Sequence, residues 1–283
     1  MNSDRIGDFL MVQPPFDDWK GFLAFTILAL RPDGTSVSFK AVVDEVSRRE
    51  LEAALAPVRL TWLSLEHGNK VVEIAPRDAM FEEPSTSFAS PVQPAPANPP
   101  IPFFPSTSPA PSIPFSPKAD AGVVCTPGYA VALTTADCVP IIVASAACRK
   151  ISVIHAGWRG IAAGVIEACC SSFISCCGGT LPEDTKAWIG PAIAGSDYEV
   201  ADETRSLLLQ SPSVRPEHFV PTTIGHCLAD LPAMAQAKLE ATGISADGIF
   251  MYPASTISDT QFHSARRDGE AAGRMATVVG IPL

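Results

Sequence analysis

Three residues in this chain have side chains that ligate transition metals and neighbours that favour such a use. Cys138 lies in Thr135-Ala-Asp-Cys-Val-Pro140, between two apolar runs. His155 ends another apolar run and opens Ala156-Gly-Trp-Arg-Gly160. His67 sits beside Gly68. Two imidazoles and a thiolate make three protein ligands and leave a fourth position for water. A metal there would keep the thiolate deprotonated and lower the pKa of a bound water to roughly 7. The three residues are distant in sequence, so the alternative is two loop histidines and a buried thiol. Asp137, next to Cys138, is a candidate acid/base or a partner that orients a ligand histidine. Cys138 with His155 as base also has the parts of a thiol hydrolase.

Two stretches could hold an anion. The turn from His155 to Gly160 joins a strand to a helix, and a helix N-terminus offers free N–H groups and partial positive charge. Arg159 can add a bidentate clamp. Alternatively, Gly157 and Gly160 serve only close packing of helix on strand. Ser264, Arg266 and Arg267 fall together near the C-terminus, where paired arginines can bind phosphate or carboxylate. The alternative there is ion pairing with Asp268 or Glu270.

The elements that must position these residues are strands and helices of a mixed protein. Before residue 84, strands are expected at 21–30, 35–43, 60–65 and 70–74, with turns at Pro32-Asp33-Gly34 and His67-Gly68-Asn69. A short helix is expected at 47–55, where Leu51 and Leu55 share a face. Further strands are expected at 123–125, 130–134, 140–144, 151–155, 187–190, 249–252 and 276–281. Ile141-Ile142-Val143 is continuous enough to be covered on both faces. Helices are expected at 160–177, 200–209 and 231–242. Asp230 would cap the last and Gly243 would end it. The pattern gives an α/β (α+β) fold with mixed β-sheets flanked by helices.

From Pro84 to Pro117, twelve of 34 residues are Pro. Proline fixes φ and lacks an N–H, so neither a helix interior nor a sheet ladder forms there. The division is therefore an N-terminal part, 1–83; a flexible insertion, 84–117; and the remainder of the same domain, 118–283. A polyproline ligand for a partner is the alternative use of the insertion.

Composition excludes several classes. Twenty basic against thirty acidic residues give a net charge of −10, which argues against a nucleic-acid partner or a polybasic membrane anchor. The run 22–30 is far below the roughly 20 residues of a membrane span. No secretion signal is evident, so a cytoplasmic protein with free thiols is expected. The eight cysteines form no Cys-X-X-Cys pair. Cys169/Cys170 and Cys176/Cys177 are expected to act as small buried hydrophobes. Five histidines, none in a His-X-His pair, are too few for the copper centres of a multicopper oxidase.

Taken in order, the motifs resemble the YfiH family, also called laccase-domain proteins or peptidoglycan editing factors. Thr135-Ala-Asp-Cys-Val-Pro140 followed by His155-Ala-Gly-Trp-Arg-Gly160 carries most of the resemblance. Gly190-Pro-Ala-Ile193 with Tyr198-Glu-Val200, Asp230-Leu231, Phe262-His-Ser-Ala-Arg-Arg267 and Gly273-Arg-Met275 continue it, and His67-Gly68 with Val71 precedes them. It runs from about residue 60 to the end. It implies zinc held by His67, Cys138 and His155. It also implies a purine nucleoside phosphorylase with adenosine deaminase activity, acting on adenosine, inosine or 5′-methylthioadenosine. Phosphate would be held by Arg159, or by Arg266 and Arg267 with Ser264. The alternatives are a hydrolase of a peptidoglycan precursor, a copper-dependent polyphenol oxidase and a non-catalytic relative. Three departures are visible. Leu65 stands where the family usually has Gln, and Ser255 where it usually has Cys. Phe25-Thr26 leads into Ile27-Leu-Ala-Leu-Arg31 rather than the family's Thr-Arg-X-Gly-Gly element.

Overall fold

The computed structural model describes residues 4–30, 33–40, 44–75 and 116–283. In chain order the strands are β1 (Asp4–Ile6), β2 (Phe9–Val12), β3 (Leu23–Ile27), β4 (Arg59–Trp62), β5 (Val71–Ile74), β6 (Ala121–Val124), β7 (Tyr129–Thr135), β8 (Val139–Ser145), β9 (Lys150–Ala156), β10 (Lys186–Ile189), β11 (Glu199–Ala201), β12 (Phe219–Pro221), β13 (His226–Ala229), β14 (Ile249–Met251) and β15 (Met275–Ile281). The helices are α1 (Glu45–Leu55), α2 (Trp158–Ala163), α3 (Val165–Cys176), α4 (Asp202–Leu209), α5 (Leu231–Ala241) and α6 (Ala265–Asp268).

Two six-stranded sheets carry the fold, in the orders β1-β2-β3-β15-β7-β4 and β14-β10-β8-β9-β6-β5; β11-β13-β12 form a small third sheet. Most neighbours are antiparallel, but β4 with β7, β5 with β6 and β10 with β14 run parallel. Both large sheets are therefore mixed, as the sequence pattern suggests.

The strand period of two sorts the side chains into layers. In β8, Ile141 and Val143 face a core shared with Ile166, Phe173 and Leu239 of α3 and α5. Ile142 and Ala144 face the opposite way, against Val131 and Leu133 of β7 and Val279 of β15 in the first sheet. The far side of the first sheet packs Ala132, Val278 and Phe25 on Leu51 and Leu55 of α1. The order of layers is helix, sheet, sheet, helix. Every residue of β8 is buried, which is why its sequence lacks polar alternation.

Several expected elements differ. The helix expected at 160–177 is two helices, because Gly164 between α2 and α3 adopts φ 82°. Glycine reaches that left-handed conformation without steric cost, and it ends the hydrogen-bond ladder of α2. The strand expected at 35–43 does not form over its described residues; only Ser36 bridges to Leu30. Val37 N still donates to Ala29 O at 2.8 Å and Phe39 N to Arg274 O at 2.9 Å, while side chains take other backbone groups. Asp33 accepts from Thr35 N at 2.9 Å, and Asp44 accepts from Ser38 Oγ at 2.6 Å and Lys40 N at 2.8 Å. Of the Pro-rich insertion, all but its last two positions lie outside the described residues. Its end is tied down, since Pro117 O accepts from Ser64 N at 2.9 Å. Asp230 caps α5, accepting from Ala233 N at 2.9 Å. No helix among the described residues is long and apolar enough to cross a membrane.

One buried cation links the helical layer. Lys238 on α5 is fully buried. It pairs with Glu167 on α3 and donates to Ser211 Oγ at 2.8 Å and Pro212 O at 3.0 Å. Replacing Lys238 by Met removes the charge but leaves three acceptors unsatisfied. A loss of about 3 kcal/mol is expected, toward the low end for a broken buried pair because Glu167 keeps water access. In thermal unfolding that is a Tm drop of roughly 6–12 °C; an unchanged Tm would show that Lys238 carries no such load.

Candidate active site

The pairing of β8 with β9 brings together what the sequence separates. Pro140 pairs with His155 and Val139 with Ala156, so Cys138 meets Gly157 at one end of the hairpin. The third ligand arrives by a different route. β4 belongs to the first sheet and β5 to the second, so the segment between them crosses from sheet to sheet. His67 sits on that crossing, with φ 59°. The ligand atoms of His67, Cys138 and His155 all lie within 4.8 Å of one another. The two imidazole rings meet edge to face, centroids 4.8 Å apart.

A fully buried carboxylate fixes both histidines. Asp120 Oδ1 lies 3.0 Å from His155 Nδ1 and accepts from His67 N at 2.8 Å; Oδ2 accepts from Gly68 N at 2.8 Å. Asp120 O accepts from His155 N at 2.7 Å, so backbone and side chain of one residue hold the ligand strand and the ligand turn. With Nδ1 engaged, Nε2 of His155 faces Cys138. A Cβ placed on Gly157 would lie 2.9 Å from Cys138 Sγ and 3.8 Å from His155 Nε2. That position must be bare for the sulfur to keep its place.

The charges follow from these contacts. Burial opposes ionisation of Asp120, but hydrogen bonds from His155, Gly68 and His67 outweigh it and lower its pKa. Burial likewise opposes charge on His155, yet Asp120 and Cys138 hold its pKa up at about 9. His67 moves the other way, lowered by burial and then by His155 beside it. Two imidazoles, a thiol and an orienting carboxylate are the chemistry of a transition-metal site with its supporting hydrogen bonds.

Above the three ligands lies a cleft of about 360 Å³, lined among others by Asp137, Trp158, Arg159, Tyr198 and Arg266. That is within the usual ~300–1,000 Å³ of small-molecule sites. Arg159 stacks over the Trp158 ring at 4.4 Å and Arg266 over the Tyr198 ring at 4.8 Å. Arg266 also donates to Glu199 O at 3.1 Å. Two guanidinium groups thus stand at the cleft of a chain whose net charge is −10.

The other expected site residues occupy different places. Asp137 reaches the cleft in a left-handed conformation, φ 84°, but its carboxylate is engaged elsewhere. Oδ1 accepts from Thr256 Oγ1 and Oδ2 from Arg266 N, each at 2.6 Å. The carboxylate on the ligand histidine is that of Asp120, not Asp137. Ser264 is buried and caps α6, accepting from Arg267 N at 3.1 Å. Arg267 lies outside the cleft lining. Its guanidinium donates to Thr256 O at 2.7 Å, Phe262 O at 2.9 Å and the Asp268 carboxylate. Of the paired arginines, only Arg266 faces the site. Trp158 is the first residue of α2, a helix of six residues, so the long helix expected to follow His155 is not what stands there.

Two contributors escaped the sequence reading. Asp120 had one available signal, an acid directly before the apolar strand β6. Tyr198 was visible as part of a motif but not as a wall of the cleft.

A family model described as multi-copper polyphenol oxidoreductase laccase matches residues 38–282. The chain belongs to this family. The motifs that resembled the YfiH, or laccase-domain, proteins are thus its family motifs. A purine nucleoside phosphorylase of Xylella fastidiosa (strain Temecula1) is 38% identical over 166 residues, 58% of this chain and 62% of the relative. The purine nucleoside phosphorylase YfiH of Escherichia coli (strain K12) is 34% identical over 167 residues, 59% of this chain and 65% of the relative. These matches span less than two thirds of either relative. Among solved structures, YlmD from Geobacillus stearothermophilus superposes with a TM-score of 0.76 at 22% identity, over 99% of this chain and 98% of that one. The Bacillus licheniformis hypothetical protein YfiH gives 0.75 at 20% identity, over 98% of each chain. This chain therefore shares the fold of both. The family's description names several coppers, yet among the described residues a single group of three such ligands comes together.

Because Asp120 positions both histidines, Asp120→Asn is expected to weaken metal binding by about 10–100-fold with the fold retained. Competition against a chromogenic chelator reads this directly, beside circular dichroism. Unchanged affinity would mean that the ligands position themselves.

Proposed function

We propose that this protein is a zinc-dependent purine nucleoside phosphorylase. It would transfer a ribosyl group from a purine to inorganic phosphate and release the free base and ribose 1-phosphate. The observation that carries this reading is the placement of Arg159 and Arg266 over the same small cleft as His67, Cys138 and His155. An acidic protein that gathers two guanidinium groups at one site is suited to a small polyanion there. The relatives named purine nucleoside phosphorylase support the same substrates.

His67, Cys138 and His155 would hold the ion, a three-ligand set of the kind used by catalytic zinc. When bound, zinc supplies a Lewis acid to the cleft. Arg159 and Arg266 would hold phosphate, their planes fixed by Trp158 and Tyr198. Tyr198 keeps its proton at neutral pH, since burial and the nearby Cys138 raise its pKa, so its hydroxyl is available as a hydrogen-bond donor. Asp137 would act through position: its carboxylate holds the backbone of Arg266 in place. Ser264 and Arg267 would shape the same wall by holding α6. Copper-dependent oxidation is the weaker reading. A His₂Cys copper site commonly carries a weak fourth ligand such as Met, and among the described residues no Met lines this cleft.

Adenosine deamination in the same cleft is a second reading, favoured by the open position that three protein ligands leave. Hydrolysis of a peptidoglycan precursor would use the Cys138 thiol and the His155 imidazole, whose ligand atoms lie within 4.8 Å of one another. We also read the chain as one domain with 84–117 as an insertion, acting in the cytoplasm on nucleoside and phosphate and not on nucleic acid or a membrane.

The zinc-loaded protein, incubated with adenosine, is expected to yield adenine only when phosphate is present, as read by chromatography beside a His155→Ala control. Inosine without phosphate dependence would assign deamination instead. Full turnover in the His155→Ala protein would remove the metal site from the mechanism.

A further inference from the structure

Arg266 and Tyr198 reach the cleft from different segments of the chain. Each segment is held by one of two adjacent residues, Ser255 and Thr256, that lie outside the cleft lining. Both sit between β14 and α6, where Ser255 bridges to Ala192. Both are buried, Thr256 fully. A buried hydroxyl needs a partner, and here each finds a carboxylate.

Thr256 engages its N–H, its carbonyl and its hydroxyl. The N–H donates to Ala192 O at 3.0 Å, and the carbonyl accepts from Arg267 Nη1 at 2.7 Å. The hydroxyl donates to Asp137 Oδ1 at 2.6 Å. The other oxygen of that carboxylate accepts from Arg266 N at 2.6 Å. Asp137 is therefore a bracket between Thr256 and α6. Its carbonyl is held as well, accepting from Ile193 N at 3.0 Å, which helps fix a residue at φ 84°. A residue with a side chain keeps that conformation only where its surroundings impose it.

Ser255 serves the other member of the pair. Its hydroxyl donates to Asp197 Oδ2 at 2.5 Å and accepts from Ala194 N at 3.2 Å. Asp197 N donates to Ala194 O at 3.0 Å, closing the turn, and Tyr198 is the next residue. The Arg266 guanidinium lies 4.8 Å over the Tyr198 ring and donates to Glu199 O at 3.1 Å. Two consecutive hydroxyls thus set both members of the stacked pair.

We propose that Ser255 and Thr256 are positioning residues for the anion that Arg266 receives, inorganic phosphate, an inference that rests on the phosphorylase reading. Thr256 acts through Asp137 on the Arg266 backbone, and Ser255 through Asp197 on the ring beneath the Arg266 side chain. An arginine fixed at its backbone and on one face of its guanidinium has less freedom to lose when phosphate binds. Without the Thr256 hydroxyl, Asp137 Oδ1 loses its buried donor, and the carboxylate is free to turn away from Arg266 N.

Thr256→Val keeps the shape and removes the hydroxyl, whereas Thr256→Ser keeps the hydroxyl. Isothermal titration of the zinc-loaded proteins with inorganic phosphate is expected to show a Kd about 10-fold higher for Thr256→Val and near the wild-type value for Thr256→Ser. Steady-state kinetics should agree, with the KM for phosphate raised about 10-fold and kcat and the KM for adenosine moved far less. Ser255→Ala should shift phosphate in the same direction, and it decides the matter by the same readout if Thr256→Val does not fold. A lower Tm, or a uniform loss in every kinetic constant, without a selective effect on phosphate would overturn the proposal. Unchanged phosphate affinity in Thr256→Val would overturn it too, and would leave the phosphorylase reading standing. Wild-type protein that binds no phosphate and forms no adenine would overturn that reading, and the proposal with it.

Discussion

A buried carboxylate is tolerated only when its lone pairs are filled, and Asp120 meets that condition with the parts of the site itself. It takes the Nδ1 of His155, the backbone N–H of His67 and that of Gly68, all within 3.0 Å. The consequence runs outward. The second sheet must place β6 beside β9 for Asp120 to reach His155, and β5 beside β6 for the His67 turn to close over it. Satisfying one charge thereby fixes the relative position of three strands and two candidate metal ligands. The same contacts decide which face of His155 remains open toward Cys138.

The cleft adds the second constraint, which is electrostatic. The chain carries −10 overall, yet Arg159 and Arg266 flank the ligands, each held over an aromatic ring. Such local concentration against the global sign suits an anionic ligand or transition state. The negative groups near it do not cancel it freely. Asp137 is engaged by Thr256 and Arg266 N, and Asp120 lies beneath the histidines.

How much of this was legible in the sequence depended on where each interaction sits along the chain. A buried strand such as β8 declares itself, because a short continuous apolar run bounded by turns fits a strand covered on both faces. The three candidate ligands were legible through their types and motifs. Their convergence depends on the hairpin register and on the sheet-to-sheet crossing at His67, neither of which leaves a local mark. Asp120 looked like any acid before a strand. The break at Gly164 was hidden because the apolar pattern of one long helix continues through it. Arg266 and Arg267 are neighbours with opposite fates, and only the fold separates the cleft residue from the one that braces α6. The strand expected after residue 35 is interrupted: Val37 and Phe39 donate to backbone carbonyls of two different segments, while Asp33 and Asp44 take the N–H groups of Thr35 and Lys40.

The central claim is that His67, Cys138 and His155 hold one metal ion together. X-ray absorption at the zinc edge, on protein loaded with one equivalent of zinc, tests it directly. The expected spectrum contains one sulfur at about 2.3 Å and nitrogen or oxygen scatterers near 2.0–2.1 Å, with imidazole multiple scattering from two rings. A shell without sulfur, or one with two or more sulfurs, would contradict it and would move the metal away from the hairpin.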